Sequence, residues 1–234
     1  MGELRLRPVK LVLAAVALAL VSTSAPAKAP DTWDGLVLVK SKKLALAYLL
    51  PDADFAAYSK VMFDPPQVAF AKNWQRDFNR STMSLSGRIS DAEVRDAVNE
   101  AEKSLAKIFP ERFTQEGYQV VSGPGSDVLR LSLAIIDLTV NAPDRNLPGR
   151  SSTYAVDAGE ATFAIEARDS ITGQLLGRAI DRREAGEGPG YRRTYSSNVA
   201  DFEALFDTWA RTAARGLTEL KSMSPVNTDG IRKQ

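Results

Sequence analysis

The sequence contains no cysteine and no histidine. Without cysteine there is no disulfide, no thiol nucleophile and no lipid attachment to a cysteine at a mature N-terminus. Without histidine there is no Ser-His-Asp triad and no His-bearing zinc site. The commonest catalytic side chain is therefore missing. Carboxylate–lysine or paired-carboxylate chemistry and an all-oxygen calcium site stay open. The expectation is a non-catalytic chain with no catalytic residue, no cofactor and no metal. An excess of one charge is also lacking: 30 Lys and Arg face 29 Asp and Glu, a net charge of +1. Nucleic-acid binding needs a clearly basic face, so no nucleic-acid partner is expected.

Long hydrophobic runs are scarce as well, and the one that exists is at the start. Arg5, Arg7 and Lys10 form a basic opening, and Leu11 to Val21 carry no charge. Ala27-Lys28-Ala29 is a small-x-small cleavage site, followed by Pro30 and Asp31. That order predicts a signal peptide over residues 1–29, cut after Ala29. Spanning a bilayer takes about 20 apolar residues, more than this run supplies. A periplasmic or secreted protein is expected, with no stable membrane anchor if the signal is cleaved; a retained signal anchor is the alternative. Cleavage would remove Arg5, Arg7, Lys10, Lys28 and Glu3, leaving 26 basic and 28 acidic residues.

What remains has ordinary globular composition, with 44% hydrophobic and 25% charged residues in the whole chain. A single domain is expected over 30–221, with 222–234 as a mobile polar tail. Short strands are predicted near Leu44–Tyr48, Lys60–Asp64 and Gln67–Phe70. Pro65-Pro66 forces a bulge or an edge position between the last two. Residues 71–89 read as polar and irregular. Ser90-Asp91-Ala92-Glu93 is a capping box. It opens a helical stripe from Val94 through Leu105 to Phe109, with Pro110 as its end or a kink.

Further strands are predicted over Tyr118–Ser122, Val128–Ile136, Ala161–Arg168 and Gln174–Arg183. Asp169-Ser170-Ile171-Thr172-Gly173 turns the last two into a hairpin. Phe202, Leu205, Phe206, Trp209, Ala213, Leu217 and Leu220 recur at helical spacing and predict a final helix over about 199–220. The expected fold is α+β: a mostly antiparallel sheet of about five strands with two long helices packed on one face.

Three stretches carry a resemblance. They are Gly159 to Leu176 with Asp181-Arg182, Asp54 to Val61, and Phe206-Asp207-Thr208-Trp209-Ala210. Together they resemble a family of bacterial envelope proteins known as domain of unknown function 3313, over most of Leu44 to Leu220. The resemblance implies an exported α/β protein and supplies no reaction or catalytic residues. Many relatives resemble lipoproteins; this chain has no cysteine to acylate.

Candidate sites are few. Trp209 lies on an apolar stripe and reads as core rather than as a stacking platform. Asp169 and Asp181 flank the hairpin and read as a turn residue and a strand-face charge. Pairing them as acid and base would need a cleft that spacing does not establish. Gly186-Glu187-Gly188-Pro189-Gly190 lacks the Gly-Lys-Ser/Thr ending of a P-loop. Interleaved Tyr191, Arg192, Arg193 and Tyr195 are the candidate partner-binding residues, since Tyr and Arg are enriched at binding hot spots. A plain connection with solvated arginines is the competing reading.

The expected function is an exported periplasmic or envelope protein that binds a partner, either an envelope protein or a cell-wall component. The alternatives are a carboxylate-dependent hydrolase of cell-wall or sugar substrates, which needs two converging carboxylates, and a small-ligand carrier, which needs an apolar cavity.

Overall fold

The computed structural model describes residues 28–82, 87–141, 153–155, 158–186, 191–193 and 195–231; for 153–155, 191–193 and 195–196 it describes the backbone alone. The expected signal peptide falls on residues 1–27 and the two positions after them, so all but its last two residues lie outside this description.

The strands are β1 (Thr32–Trp33), β2 (Leu36–Val39), β3 (Leu46–Leu49), β4 (Lys60–Phe63), β5 (Gln67–Phe70), β6 (Gln119–Val120), β7 (Val128–Val140), β8 (Thr153–Ala155), β9 (Gly159–Asp169), β10 (Leu175–Ala185) and β11 (Tyr191–Arg193). The helices are α1 (Trp74–Ser81), α2 (Asp91–Gln115) and α3 (Tyr195–Ser222). Nine strands form one sheet in the order β1-β2-β3-β10-β9-β7-β4-β6, with β5 also paired to β7. β8 and β11 make a separate antiparallel pair.

The fold is therefore α+β, but the five-strand, mostly antiparallel description needs correction. The sheet is mixed: β4 and β5 both run parallel to β7, and β6 runs parallel to β4. Parallel neighbours need a long crossover, and α2 between β5 and β7 supplies it. The strands not foreseen in this sheet, β1 and β2, are two and four residues long and leave little periodicity to read, whereas β6 falls within the strand expected over Tyr118–Ser122. The double proline behaves as expected. It divides one extended run into β4, which lies between β7 and β6, and β5, each pairing with its own stretch of β7.

Alternation along the long strands sets the core. Leu129, Leu131, Leu133 and Ile135 of β7 and Ala161, Phe163 and Ile165 of β9 turn to one face and are buried. Leu105, Phe109 and Phe113 of α2 and Phe202, Phe206, Trp209 and Leu217 of α3 cover them. Phe163 packs between Phe109, with ring centroids 5.4 Å apart, and Trp209, stacked at 5.2 Å. Trp209 is core, as its stripe predicts.

The capping box forms as read: Ser90 N donates to Glu93 Oε2 at 2.7 Å, and Glu93 N donates to Ser90 Oγ at 3.3 Å. Pro110 does not end α2, which runs on to Gln115. Proline costs the helix one hydrogen bond there, and burial of Phe109 and Phe113 on either side holds the last turns in place.

Two stretches expected to be irregular are ordered. Residues 74–81 form α1, where Trp74 and Phe78 sit one turn apart and Trp74 stacks on Phe70 at 4.4 Å. Beyond α3, residues 223–231 are docked rather than a loose tail. Val226 is buried, its N–H donates to Ala53 O at 2.9 Å, and its carbonyl accepts from Asp52 N at 3.1 Å. Ile231 O accepts from Lys40 N at 2.7 Å. Two apolar residues in a polar segment anchor it.

Candidate functional site

The hairpin of β9 and β10 is the scaffold of the site. Gly173 takes a φ of 73°, and Asp169 accepts from Ile171 N at 3.0 Å and Thr172 N at 2.7 Å, closing the turn. From that turn β10 pairs with β9 as far as Ala185, whereas its other neighbour, β3, stops at Leu46 opposite Ile180. The end of the hairpin thus runs beyond β3 beside the first turns of α3. A cleft of about 710 Å³ lies there, lined by Glu160, Arg182 and Glu184 from the hairpin and by Asp201, Leu205 and Thr208 from α3.

The charges in this cleft are largely paired. Glu160 and Arg182, diagonal neighbours on β9 and β10 (Glu160 is paired with Glu184 and Arg182 with Thr162), form an ion pair that includes a 2.9 Å bond from Arg182 Nε. The Arg182 guanidinium holds the Glu160 carboxyl below its ordinary value, against a smaller opposing effect of burial. Arg183 donates to Asp181 Oδ2 at 2.6 Å and to Lys43 O at 2.8 Å.

Asp181 is the residue the sequence reading misplaced. It is not a strand-face charge but only 5% exposed, on the helix-covered face. It accepts from Trp209 Nε1 at 2.9 Å and from Ala45 N at 3.0 Å. It therefore ties the approach to β3, the middle of β10 and α3 together. Its parity gave the available clue: Asp181 alternates with Ala179 and Ala185, and it pairs with Phe163.

Asp169 and Asp181 are not brought together. Asp169 closes the turn, while Asp181 lies opposite Phe163, six residues or about 20 Å along β9. The Thr172 backbone amide, with the Tyr58 hydroxyl and further hydrogen bonds, holds the Asp169 carboxyl below its ordinary value. Burial, with the Asp169 hydrogen bond and charge, pushes the Tyr58 hydroxyl well up. Among the described residues no three acidic side chains converge in a way that could hold a metal ion.

The Tyr191–Arg193 backbone is a short strand paired with Thr153–Ala155, and Tyr195 opens α3. The side chains of Tyr191, Arg192, Arg193 and Tyr195 lie outside the described residues, as do residues 187–190 of the glycine-rich stretch. In sequence this segment joins Gly186 to Asp201, two residues that both line the cleft.

On the opposite sheet face, Arg178 is a second feature that periodicity did not reveal. Its side chain is 10% exposed and bonds Glu166 at 2.6 Å and Asp34 at 2.9 Å, with the Trp33 ring 4.1 Å from its guanidinium carbon. Among the described residues no helix is long and apolar enough to cross a membrane.

Comparison with known proteins adds a family and distant likenesses in shape. No curated protein matches the chain. Among solved structures, the chain is similar to protein XCC0632 from Xanthomonas campestris, at 12% identity and a TM-score of 0.39, covering 80% of this chain and 95% of that one. A neuraminyllactose-binding hemagglutinin homolog from Helicobacter pylori is similar at 10% identity and a TM-score of 0.36, with 74% and 91% covered. The PelC dodecamer from Paraburkholderia phytofirmans is similar at 14% identity and a TM-score of 0.31, with 69% and 96% covered. The family model for a protein of unknown function, DUF3313, matches residues 36–213, and the chain belongs to that family.

Proposed function

We propose that this is a non-catalytic protein of the bacterial envelope that binds a partner at the cleft between the end of β10 and the start of α3. The observation that carries the reading is the position of that cleft. Its two walls are joined in sequence by the segment holding Tyr191, Arg192, Arg193 and Tyr195. Tyrosine and arginine are enriched at binding hot spots, and this segment supplies both in sequence. The absence of histidine and cysteine from the sequence supports a non-catalytic role.

Two features weigh against the alternatives. A hydrolase needs free carboxylates converging on its substrate, whereas Glu160, which lines the cleft, is committed to an ion pair with Arg182. A small-ligand carrier needs space between sheet and helices, and Phe109, Phe163 and Trp209 fill that space.

The test is site-specific photo-crosslinking in the periplasm from a probe at Tyr191, with adducts identified by mass spectrometry. One discrete adduct, lost when Arg192→Ala and Arg193→Ala are combined, is expected. An adduct pattern unchanged by those substitutions removes the segment from the binding surface.

A further inference from the structure

The end of β10 is an open sheet edge whose main-chain polarity can be worked out. Leu176 O accepts from Leu50 N at 2.8 Å, so even-numbered residues of β10 direct their backbone groups toward β3. Ala185 O accepts from Ala158 N at 2.8 Å, so odd-numbered residues face β9. β3 ends opposite Ile180, which leaves the N–H and C=O of Arg182 and Glu184 aimed past the end of β3. The approach to β3 touches this end of β10 through side chains, from Arg183 Nη2 to Lys43 O at 2.8 Å and from Ala45 N to Asp181 Oδ1 at 3.0 Å. Among the described residues no strand pairs with the Arg182 and Glu184 backbone. The α3 residues Ala204, Leu205 and Thr208 stand across the cleft from this edge.

A free strand edge beside a helix wall is the arrangement that receives an extended chain as an added strand. Alternate side chains of such a strand would meet the wall of α3, small and apolar at Ala204 and Leu205 and polar at Asp201 and Thr208. The others would meet the outward side chains of β10. Arg182 is neutralised by Glu160 and Arg183 by Asp181. Glu184 is exposed and forms no ion pair among the described residues, so it offers this edge one carboxylate for a basic side chain.

We infer that the cleft takes an extended segment of a partner polypeptide. It adds to β10 through the backbone of Arg182 and Glu184, with a basic side chain opposite Glu184 and a small or apolar one toward Leu205. This rests on the reading of the cleft as the partner site and names what that site recognises: backbone in extended form, with alternating basic and apolar side chains.

The test is amide hydrogen exchange by NMR on the protein, with and without a capped hexapeptide of alternating lysine and valine. In the free protein the Arg182 and Glu184 amides should exchange freely while Asp181 and Arg183, bonded to β9, are protected. The peptide should slow Arg182 and Glu184 by about tenfold or more. A peptide N-methylated at alternate residues, or one alternating glutamate and valine, should not. Glu184→Lys should abolish the protection. Glu184→Pro should also abolish it, since it removes the edge N–H without touching a bond to β9.

Arg182 and Glu184 amides already protected in the free protein would overturn the inference. Light scattering then tells a second copy on the edge from coverage by this chain itself. Shifts at Ala204 and Thr208 without amide protection would overturn strand addition while leaving the cleft as a binding site. No response to the peptide would also overturn it, and the crosslinking from Tyr191 would still decide the broader reading separately.

Discussion

Glu166 stands where two strands of the outward sheet face and the turn between β1 and β2 exchange charge. It accepts from Arg168 at 2.8 Å on its own strand and from Arg178 at 2.6 Å on β10, and Arg178 in turn reaches Asp34 beyond β1. Burial alone would raise the Glu166 carboxyl, but the hydrogen bonds and charges of Arg168 and Arg178 outweigh it and hold the group below its ordinary 4.5. A carboxyl lowered in the folded state binds protons less readily there than in the unfolded chain. Its contribution is therefore present above about pH 4.5 and is lost as pH falls through the lower folded value. Urea midpoints measured from pH 6 down to pH 3 should fall, and Glu166→Gln should flatten part of that fall. At neutral pH the same substitution should cost about 2 kcal/mol, because it weakens charge-assisted bonds to a nearly buried guanidinium. A slope identical to that of the parent would show that the pair contributes nothing to folding. Asp207, held low by Arg112 and Arg211 against burial, titrates in the same direction, so the fall is reduced rather than removed.

At the scale of elements, the register of β7 against β9 depends on a bulge. The pairing shifts between Ile136 and Thr139, and Asp137 takes a φ of 54°. Opposite this irregularity Gly159 has a φ of 142°, and a Cβ there would meet Thr139 O at 2.0 Å. That oxygen belongs to the backbone of the partner strand and cannot swing aside. Gly159→Ala should destabilise the protein by about 3 kcal/mol or more, read as a loss in thermal midpoint. Gly173, with a φ of 73° and open space around it, provides the contrast: Gly173→Ala should cost only about 1 kcal/mol. Equal losses at the two sites would mean that β7 and β9 shift freely to absorb the side chain.

For the whole molecule, the C-terminal segment closes one end of the core. Val226 packs into the main core cluster together with Ala53 and Phe55, and Ser224 Oγ accepts from Phe55 N at 2.8 Å. Truncation after Ser222 should strip the cover from these residues and cost about 2–4 kcal/mol, measured by urea unfolding. An unchanged midpoint would mean that residues 223–231 sit on the domain without stabilising it. The same view of the whole explains why the cleft lies where it does. Asp181 and Trp209 clamp α3 to β10, and the hairpin then extends past the shorter β3, leaving edge and helix side by side.

Much of this was legible locally. The capping box at Ser90, the turn from Asp169 to Gly173, the alternation of β9 and the stripe of α3 are short-range patterns, dictated by residues a few positions apart. The family likeness was equally legible, since it rests on the same local runs. Four things were decided by contacts between distant residues. The parallel pairing of β4 and β5 with β7 depends on where α2 returns the chain. The docking of 223–231 depends on Val226 joining the core cluster of Ala53 and bonding the backbone of Asp52 and Ala53. Asp181 became a buried hub because its parity placed it beneath Trp209, 28 positions away in the chain. The cleft exists because β3 is four residues long and β10 eleven, a mismatch of lengths that neither strand carries alone.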